Sequence, residues 1–242
     1  MPSVIDHYAK HLGPVYTWMA GGIESAFEKG SAELAAIDAT PVGNSVAIDL
    51  GAGFGMHAVP LARRGFSVLA IDTSALLLEE LRTRQNDLPI QIVQDDLLSF
   101  KRYSHGNADI ILCMGDTLTH LSRTADILQL FSSVSTELSA TGRFVITFRD
   151  YSIPLQAEQR FIPVRSDEHR ILTCFLEYSD SLVTVYDILN EKEGGRWQQR
   201  VSSYQKLRLS SEWVMDSIRS VGLKVRQEPG MAGMVRLIAQ RA

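Results

Sequence analysis

Short apolar runs alternate with stretches of helical periodicity over roughly the first 150 residues of the chain. The runs are rich in Val, Ile and Leu, as strands buried on both faces of a parallel sheet must be. Five strands are predicted, over residues 45–50, 67–71, 90–93, 109–114 and 143–148. Helices are predicted between them over residues 55–64, 74–86 and 123–138. This alternation indicates right-handed crossovers and an α/β sandwich of three layers.

Two further regions do not follow this alternation of strands and helices. Residues 21–39, GGIESAFEKGSAELAAIDA, predict one or two helices, with Gly30 breaking or weakening them. From about residue 160 to 209 the pattern has period two, with turn residues at 179–181 and 194–195. We interpret this region as three antiparallel strands inserted after the fifth strand. The last of them places one set of side chains on a single face: Arg200, Ser202, Tyr204, Lys206 and Arg208.

Helical spacing returns in SSEWVMDSIRSVG, with a serine N-cap and Gly222 after the helix. Strands predicted at 223–227 and 235–239 then complete a mostly parallel sheet of seven strands. The predicted organisation has three parts. Residues 1–40 form an N-terminal helical segment, residues 41–152 and 210–242 form the α/β domain, and residues 153–209 form an antiparallel insertion. We expect the insertion to be a pocket wall, a homodimer contact, or both.

Composition narrows the possible partners and location. The chain has 242 residues, 45% hydrophobic and 21% charged, with a net charge of −4. An acidic balance disfavours binding to a nucleic-acid backbone. No apolar run approaches the ~18 residues that a membrane-spanning helix needs. The N-terminus has no signal-peptide pattern, and the two cysteines have no metal-ligand spacing, so we expect a cytoplasmic protein without a metal.

The first candidate ligand-binding motif is VAIDLGAGFG, which contains the loop after the first strand. A glycine turn between a strand and a helix presents free N–H groups to a ligand. In a dinucleotide site the third glycine would fall at Met56, but here it is Gly55. Asp49 precedes the loop, where a carboxylate disfavours a pyrophosphate and suits a cationic amino group. The competing interpretation of the glycines is a plain strand-to-helix turn.

Four motifs in order resemble those of the class I S-adenosylmethionine-dependent methyltransferases: VAIDLGAGFG, AIDTS, VQDDLLSF and ILCMGDTLTHL. The resemblance covers residues 40 to 150 and implies a Rossmann-like fold that binds S-adenosyl-L-methionine. It assigns Asp72 to the ribose hydroxyls, Asp96 or Asp95 to the adenine amino group, and the following residue to the adenine ring. The full set of expected cofactor contacts is Asp49, Gly51, Ala52, Gly53, Gly55, Asp72, Thr73, Asp95, Asp96, Leu97, Met114, Gly115 and, as part of an N-terminal lid, Tyr16.

Simpler roles compete with these assignments. Asp72 suits a helix cap, Asp95 and Asp96 suit a turn, and Tyr16 suits an N-terminal core. His120 and Asp116 follow the fourth strand and are the candidates to orient or deprotonate the acceptor. His120 equally suits a cap or a backbone hydrogen bond.

The expected reaction is in-line methyl transfer to nitrogen or oxygen of an acceptor. The Asn/Asp-Pro-Pro-aromatic element that similar enzymes use on nucleic-acid bases and glutamine amides is absent, because the fourth strand ends in CMGDT. The acceptor is therefore expected to be a small molecule. Three other functions remain open at this point: a cofactor-binding regulatory module without turnover, an NAD-dependent oxidoreductase, and related cofactor chemistry on the same fold, such as aminopropyl or carboxymethyl transfer.

Overall fold

The computed structural model describes residues 3–241. Residues 1 and 2 of the predicted N-terminal segment and residue 242 of the closing segment lie outside the described residues. The centre of the molecule is a seven-stranded sheet in the order β10-β11-β5-β4-β1-β2-β3. Its strands are β1 (Val46–Leu50), β2 (Ser67–Asp72), β3 (Ile90–Gln94), β4 (Ala108–Cys113), β5 (Leu138–Phe148), β10 (Leu223–Pro229) and β11 (Val235–Arg241).

The pairing of these strands confirms the predicted mostly parallel sheet. β1 pairs in parallel with β2 and β4, β2 with β3, and β4 with β5. Only β11 runs against its neighbours β5 and β10. The chain first moves outward from β1 to β3 and then returns to place β4 on the other side of β1. Ligands of open α/β sheets bind at such a reversal, beyond the carboxyl ends of the strands.

Helices cover both faces of the sheet. They are α3 (Ile23–Ala36), α4 (Ala58–Arg63), α5 (Ala75–Gln85), α6 (Thr124–Glu137) and α7 (Ser211–Ser220). Two of them begin at a serine whose hydroxyl accepts a backbone N–H, Ser74 from Leu77 and Ser210 from Trp213. Buried apolar residues form one cluster under α3, α4 and α5 and a second under α6 and α7.

Gly30 does not interrupt its helix, so the expectation of a break there was wrong. α3 runs through it because the glycine serves packing: a Cβ at Gly30 would lie 2.0 Å from the carbonyl oxygen of Met56. The absence of a side chain lets α3 approach the turn before α4. Ahead of α3 lie α1 (Val4–His7), a π-helical turn (Tyr8–Leu12) and α2 (Gly13–Met19).

The insertion forms its own antiparallel sheet in the order β6-β7-β8-β9. Its strands are β6 (Phe161–Ser166), β7 (Arg170–Tyr178), β8 (Leu182–Glu193) and β9 (Arg196–Leu207). The sequence predicted three strands; β6 is the fourth, and a proline and a register shift had obscured its period. The inner face of this sheet packs on the N-terminal segment through Leu172 and Leu189. Among the described residues, no helix is long and apolar enough to cross a membrane.

Candidate functional site

The glycine loop leaves β1 in a conformation that requires glycine. Gly51, Gly53 and Gly55 all have positive φ, at 78°, 53° and 93°. A Cβ at Gly51 would lie 2.5 Å from the Thr117 side chain, and one at Gly55 would lie 2.4 Å from Leu81. The loop is therefore pressed between the end of β4 and α5. Because these turns delay the helix, α4 begins at Ala58 and not at the predicted residue 55.

Asp49 lies beneath this loop and is 1% exposed. Its Oδ2 atom is buried without a hydrogen-bond partner. Burial raises the pKa of Asp49 to about 6, although the nearby His57 favours the ionised form. A buried carboxylate oxygen without a donor is costly, so the fold leaves this acceptor unsatisfied. Asp49 itself is not among the residues that line the cavity above the loop.

Asp72, at the end of β2, joins the second strand to the loop. One of its carboxylate oxygens accepts the Gly53 N–H and the other accepts the Ser74 N–H, each at 2.8 Å. Burial raises the pKa of Asp72, and these two hydrogen bonds oppose the rise. The residue therefore makes the local bonds of a cap and also faces the cavity.

A cavity lies over the loop and the carboxyl ends of β1, β2 and β4. The N-terminal segment forms its roof through Val4, Ile5, Tyr8 and Tyr16. The Tyr16 ring packs edge-on against Phe54, with the centroids 5.9 Å apart. The predicted residues that line this cavity are Tyr16, Gly51, Ala52, Gly53, Asp72, Thr73, Leu97, Met114, Gly115 and His120.

The acidic pair after β3 lies farther out. Asp96 caps a 3₁₀ turn by accepting the Leu98 N–H at 2.8 Å. Asp95 accepts the Tyr103 hydroxyl at 2.8 Å, and this bond lowers the pKa of Asp95. Neither carboxylate lines the first cavity, whereas Leu97 does. Both make the turn contacts of the simpler interpretation, and an adenine contact for either remains a prediction.

Asp116 forms a buried ion pair with Lys206 of β9. It also accepts the Arg149 N–H at 2.9 Å and the Tyr151 hydroxyl at 3.3 Å. Burial pushes the pKa of Asp116 upward, but the Lys206 charge and the Arg149 bond hold it below the ordinary value. Asp116 lines neither cavity described for this site. It ties the insertion to the end of β4, so we interpret its role as positional.

His120 stands at the boundary between two cavities. It lines the first cavity and also a second one, and both are lined by Val4, Ile5, Thr73, Leu97 and Thr117 as well. The His120 ring stacks on Tyr204, with centroids 5.4 Å apart and planes at 20°. Burial and the Lys206 charge lower the pKa of His120 to about 3. The imidazole is therefore neutral near neutral pH.

Comparison with known proteins bears on the central part of the chain. Residues 47–142, which contain the glycine loop, Asp72 and His120, match a family described as a methyltransferase domain. This segment is therefore similar to a methyltransferase domain. The sequence resemblance is thereby confirmed for it.

Among proteins of known activity, this chain is similar to the glycine/sarcosine N-methyltransferase of Halorhodospira halochloris. The two are 36% identical over 76 residues, which is 31% of this chain and 28% of that protein. The enzyme of the same name from Parasynechococcus marenigrum is 32% identical over 76 residues, 31% of this chain and 27% of its own. The aligned part thus spans less than a third of the length of these relatives.

Solved structures share the fold over almost the whole chain. DesVI from Streptomyces venezuelae superposes with a TM-score of 0.79 at 15% identity, covering 95% of this chain and 98% of that one. CalS10, an amino pentose methyltransferase from Micromonospora echinaspora, gives 0.74 at 14%, covering 96% and 97%. The likeness includes the insertion, which the family match does not reach, and it confirms the predicted Rossmann-like fold.

Several residues at the site were not predicted to belong there. Tyr8 contributes to the roof, Tyr204 stacks on His120, and Lys206 neutralises Asp116. The period-two pattern did place Tyr204 and Lys206 on one face of their strand. It carried no information on which part of the α/β domain that face meets, because the contact joins segments about 90 residues apart.

Proposed function

We propose that this protein is an S-adenosylmethionine-dependent methyltransferase that methylates an amine nitrogen of a small molecule. The observation that carries the proposal is the buried, unpartnered carboxylate oxygen of Asp49 beneath a loop of positive-φ glycines. A cationic amino group would pair with that oxygen, whereas a pyrophosphate would be repelled by it. This contrast favours S-adenosylmethionine over a nicotinamide dinucleotide.

The other residues fit the same cofactor. Asp72 faces the cavity and has lone pairs beyond the two that its backbone bonds use, so it would accept the ribose hydroxyls. Leu97 and Met114 supply apolar walls, and Tyr8 and Tyr16 cover the site from above. When bound, S-adenosylmethionine supplies an electron-poor methyl group on a cationic sulfur with a neutral leaving group. The chain's own task is therefore to orient the acceptor and exclude water.

The pKa values of the titratable groups around His120 favour a nitrogen atom over an oxygen atom as the methyl acceptor. A hydroxyl acceptor needs a general base whose pKa lies near the working pH. The pKa of His120 is about 3, too low for that role. Burial raises the pKa of Tyr8 and Tyr204 well above the ordinary tyrosine value, and Lys206 holds Asp116 ionised. An amine that arrives unprotonated needs no base, and the neutral His120 ring would accept a hydrogen bond from its N–H.

The names of the relatives point the same way. Two are glycine/sarcosine N-methyltransferases, and one structural neighbour is a sugar N-methyltransferase, KedS8. All of these names describe methylation of a nitrogen on a small molecule. We place the acceptor of this protein in the second cavity, which adjoins the first at His120 and Thr117.

The test combines binding with turnover. Calorimetry is expected to detect binding of S-adenosylmethionine and of S-adenosylhomocysteine but no binding of NADH. Turnover is then measured by mass spectrometry on a panel of small amines, each paired with the alcohol of the same skeleton. Methylation of amines alone supports the proposal, and Asp49→Asn is the binding-deficient control. Methylated alcohols would refute the choice of nitrogen. Cofactor binding without turnover across the panel indicates a regulatory module, and NADH binding an oxidoreductase.

We also propose a division of the chain and a location. Residues 1–40 act as the lid segment, residues 41–152 and 210–242 as the catalytic domain, and residues 153–209 as the wall of the acceptor cavity. Both cysteines are free thiols, which supports a cytoplasmic location. The net charge of −4 supports a protein that does not bind nucleic acid.

The outer face of the insertion supports a homodimer. Four large apolar side chains on it are exposed: Phe161 by 53%, Ile171 by 40%, Trp197 by 48% and Val201 by 55%. Large exposed apolar patches mark interfaces. Glu177 and Lys192 lie toward opposite ends of the same face, so a twofold axis across the strands would bring opposite charges of two copies together.

Sedimentation of Val201→Lys tests this contact. The wild type is expected to sediment as a dimer and the variant as a monomer. Leu128→Lys is the matched control, because Leu128 is an exposed apolar residue on α6, away from the insertion. A monomeric wild type, or a variant that stays dimeric, would exclude the contact.

A further inference from the structure

A buried polar cluster joins the N-terminal segment to the inner face of the insertion, outside both cavities. The His7 side chain is fully buried and Asp187 is 2% exposed. His7 Nε2 lies 2.8 Å from Asp187 Oδ2, and His7 Nδ1 lies 2.9 Å from the Ser202 hydroxyl. Cys174 donates to the other carboxylate oxygen of Asp187 at 2.7 Å. Every side-chain polar atom of this His–Asp pair therefore has a hydrogen-bond partner, and two of these bonds join the N-terminal segment to the insertion.

The local backbone is shaped to make this cluster. Cys174, Asp187 and Ser202 are direct cross-strand partners, so they meet on one face of the sheet. On the other side, the π-helical turn follows His7 directly, and His11 Nε2 donates to the Asp187 carbonyl at 3.0 Å. A Cβ at Gly13 would lie 2.4 Å from the Tyr8 carbonyl, so the turn requires glycine there. Single π-turns are often functional.

The same segment contacts both cavities. Val4, Ile5 and Tyr8, which flank His7, line the first cavity. The His7 ring also packs on Tyr204 at 4.4 Å between centroids, and Tyr204 stacks on His120. Only the Tyr204 side chain thus separates the His7–Asp187 pair from His120. The residues of the N-terminal segment that line the first cavity lie within one helical turn of His7.

We propose that His7 and Asp187 form a latch that holds residues 4–19 closed over the cofactor cavity and sets Tyr204 against His120. They act as positioning residues, because neither lines the cavities. Opening the segment breaks a buried charge-assisted hydrogen bond and exposes Asp187 to solvent. The latch gives the insertion a role beyond walling the pocket: it sets how fast the cofactor enters and leaves. The cofactor part of this inference rests on the proposed function.

The experiment uses the full chain with Asp187→Asn, and His7→Gln as a second variant. Tyr186→Phe is the matched control: it lies next to Asp187 on β8, faces the other side of the sheet, and loses one hydrogen bond to Glu177. Hydrogen exchange of peptides covering 4–19 and stopped-flow release of S-adenosylhomocysteine are measured. Both are expected to rise about tenfold or more in the two latch variants, since a hydrogen bond to a charged group is lost. Exchange of β1–β5 is expected to stay unchanged.

In turnover, the latch variants are expected to raise KM for the cofactor more than they lower kcat, a split that a purely structural defect does not produce. Unchanged exchange of 4–19 in a folded variant would overturn the latch, as would equal changes in Tyr186→Phe. Global unfolding of both latch variants would also overturn it, because a latch holds the segment and not the sheet. If the wild type fails to bind S-adenosylhomocysteine, the proposed function fails, and hydrogen exchange alone still decides the latch.

Discussion

The substitution Asp49→Asn measures how much the buried carboxylate beneath the glycine loop lowers the free energy of unfolding. The side chain is buried, and its Oδ2 atom has no partner among the described residues. The substitution keeps the shape and removes the charge. We expect the variant, prepared without cofactor, to be more stable than the wild type at neutral pH and to bind S-adenosylmethionine more weakly.

The magnitude follows from the pKa of Asp49, which burial raises from 3.8 to about 6. One pKa unit corresponds to about 1.4 kcal/mol, so ionised Asp49 lowers the free energy of unfolding by about 3 kcal/mol. The folded state binds this proton more tightly than the unfolded state does. The penalty is therefore absent below the unfolded pKa of 3.8, grows as the pH rises, and is complete above about 6.

Urea unfolding of both proteins at about pH 4 and about pH 8 measures this effect, because groups that do not interact with Asp49 cancel in the difference. The stability advantage of Asp49→Asn is expected to be about 2 kcal/mol larger at the higher pH, because a small part of the penalty is already present at about pH 4. Asp109→Asn is the control: this buried carboxylate accepts hydrogen bonds from Ser45 and Ser139, so its loss should not stabilise the protein. A difference that does not change with pH would refute the reasoning.

Three further predictions concern neighbouring residues. Lys206→Met should lower the free energy of unfolding by about 3–5 kcal/mol, because Asp116 is left buried without its partner. Urea unfolding measures this loss, and adding Asp116→Asn to the variant should recover most of it. Gly51→Ala should lower cofactor affinity in calorimetry and cost about 1–3 kcal/mol in stability, since its Cβ would lie 2.5 Å from Thr117. NMR should find the His120 ring neutral at about pH 5–8, because burial and Lys206 lower its pKa to about 3; titration near 6.5 would contradict this.

Two of the departures from the sequence predictions have the same physical origin. Gly30 sits inside a helix because a carbonyl of the neighbouring turn occupies the space of a side chain. β6 pairs with β7 despite Pro163 because it lies at the edge of the sheet, where a missing N–H costs little. In both places a contact distant along the chain outweighed a local preference.

The sequence by itself determined the parallel sheet, the glycine loop, Asp72 at the end of β2 and His120 after β4. Periodicity and turn chemistry are local, so neighbouring residues are enough to predict them. Only the tertiary structure decided what each polar group meets. It paired Asp116 with Lys206, left an oxygen of Asp49 without a partner, stacked Tyr204 on His120, and joined His7 to Asp187 across 180 positions. Burial and charge pairing are long-range properties, and the pKa values that govern chemistry depend on them.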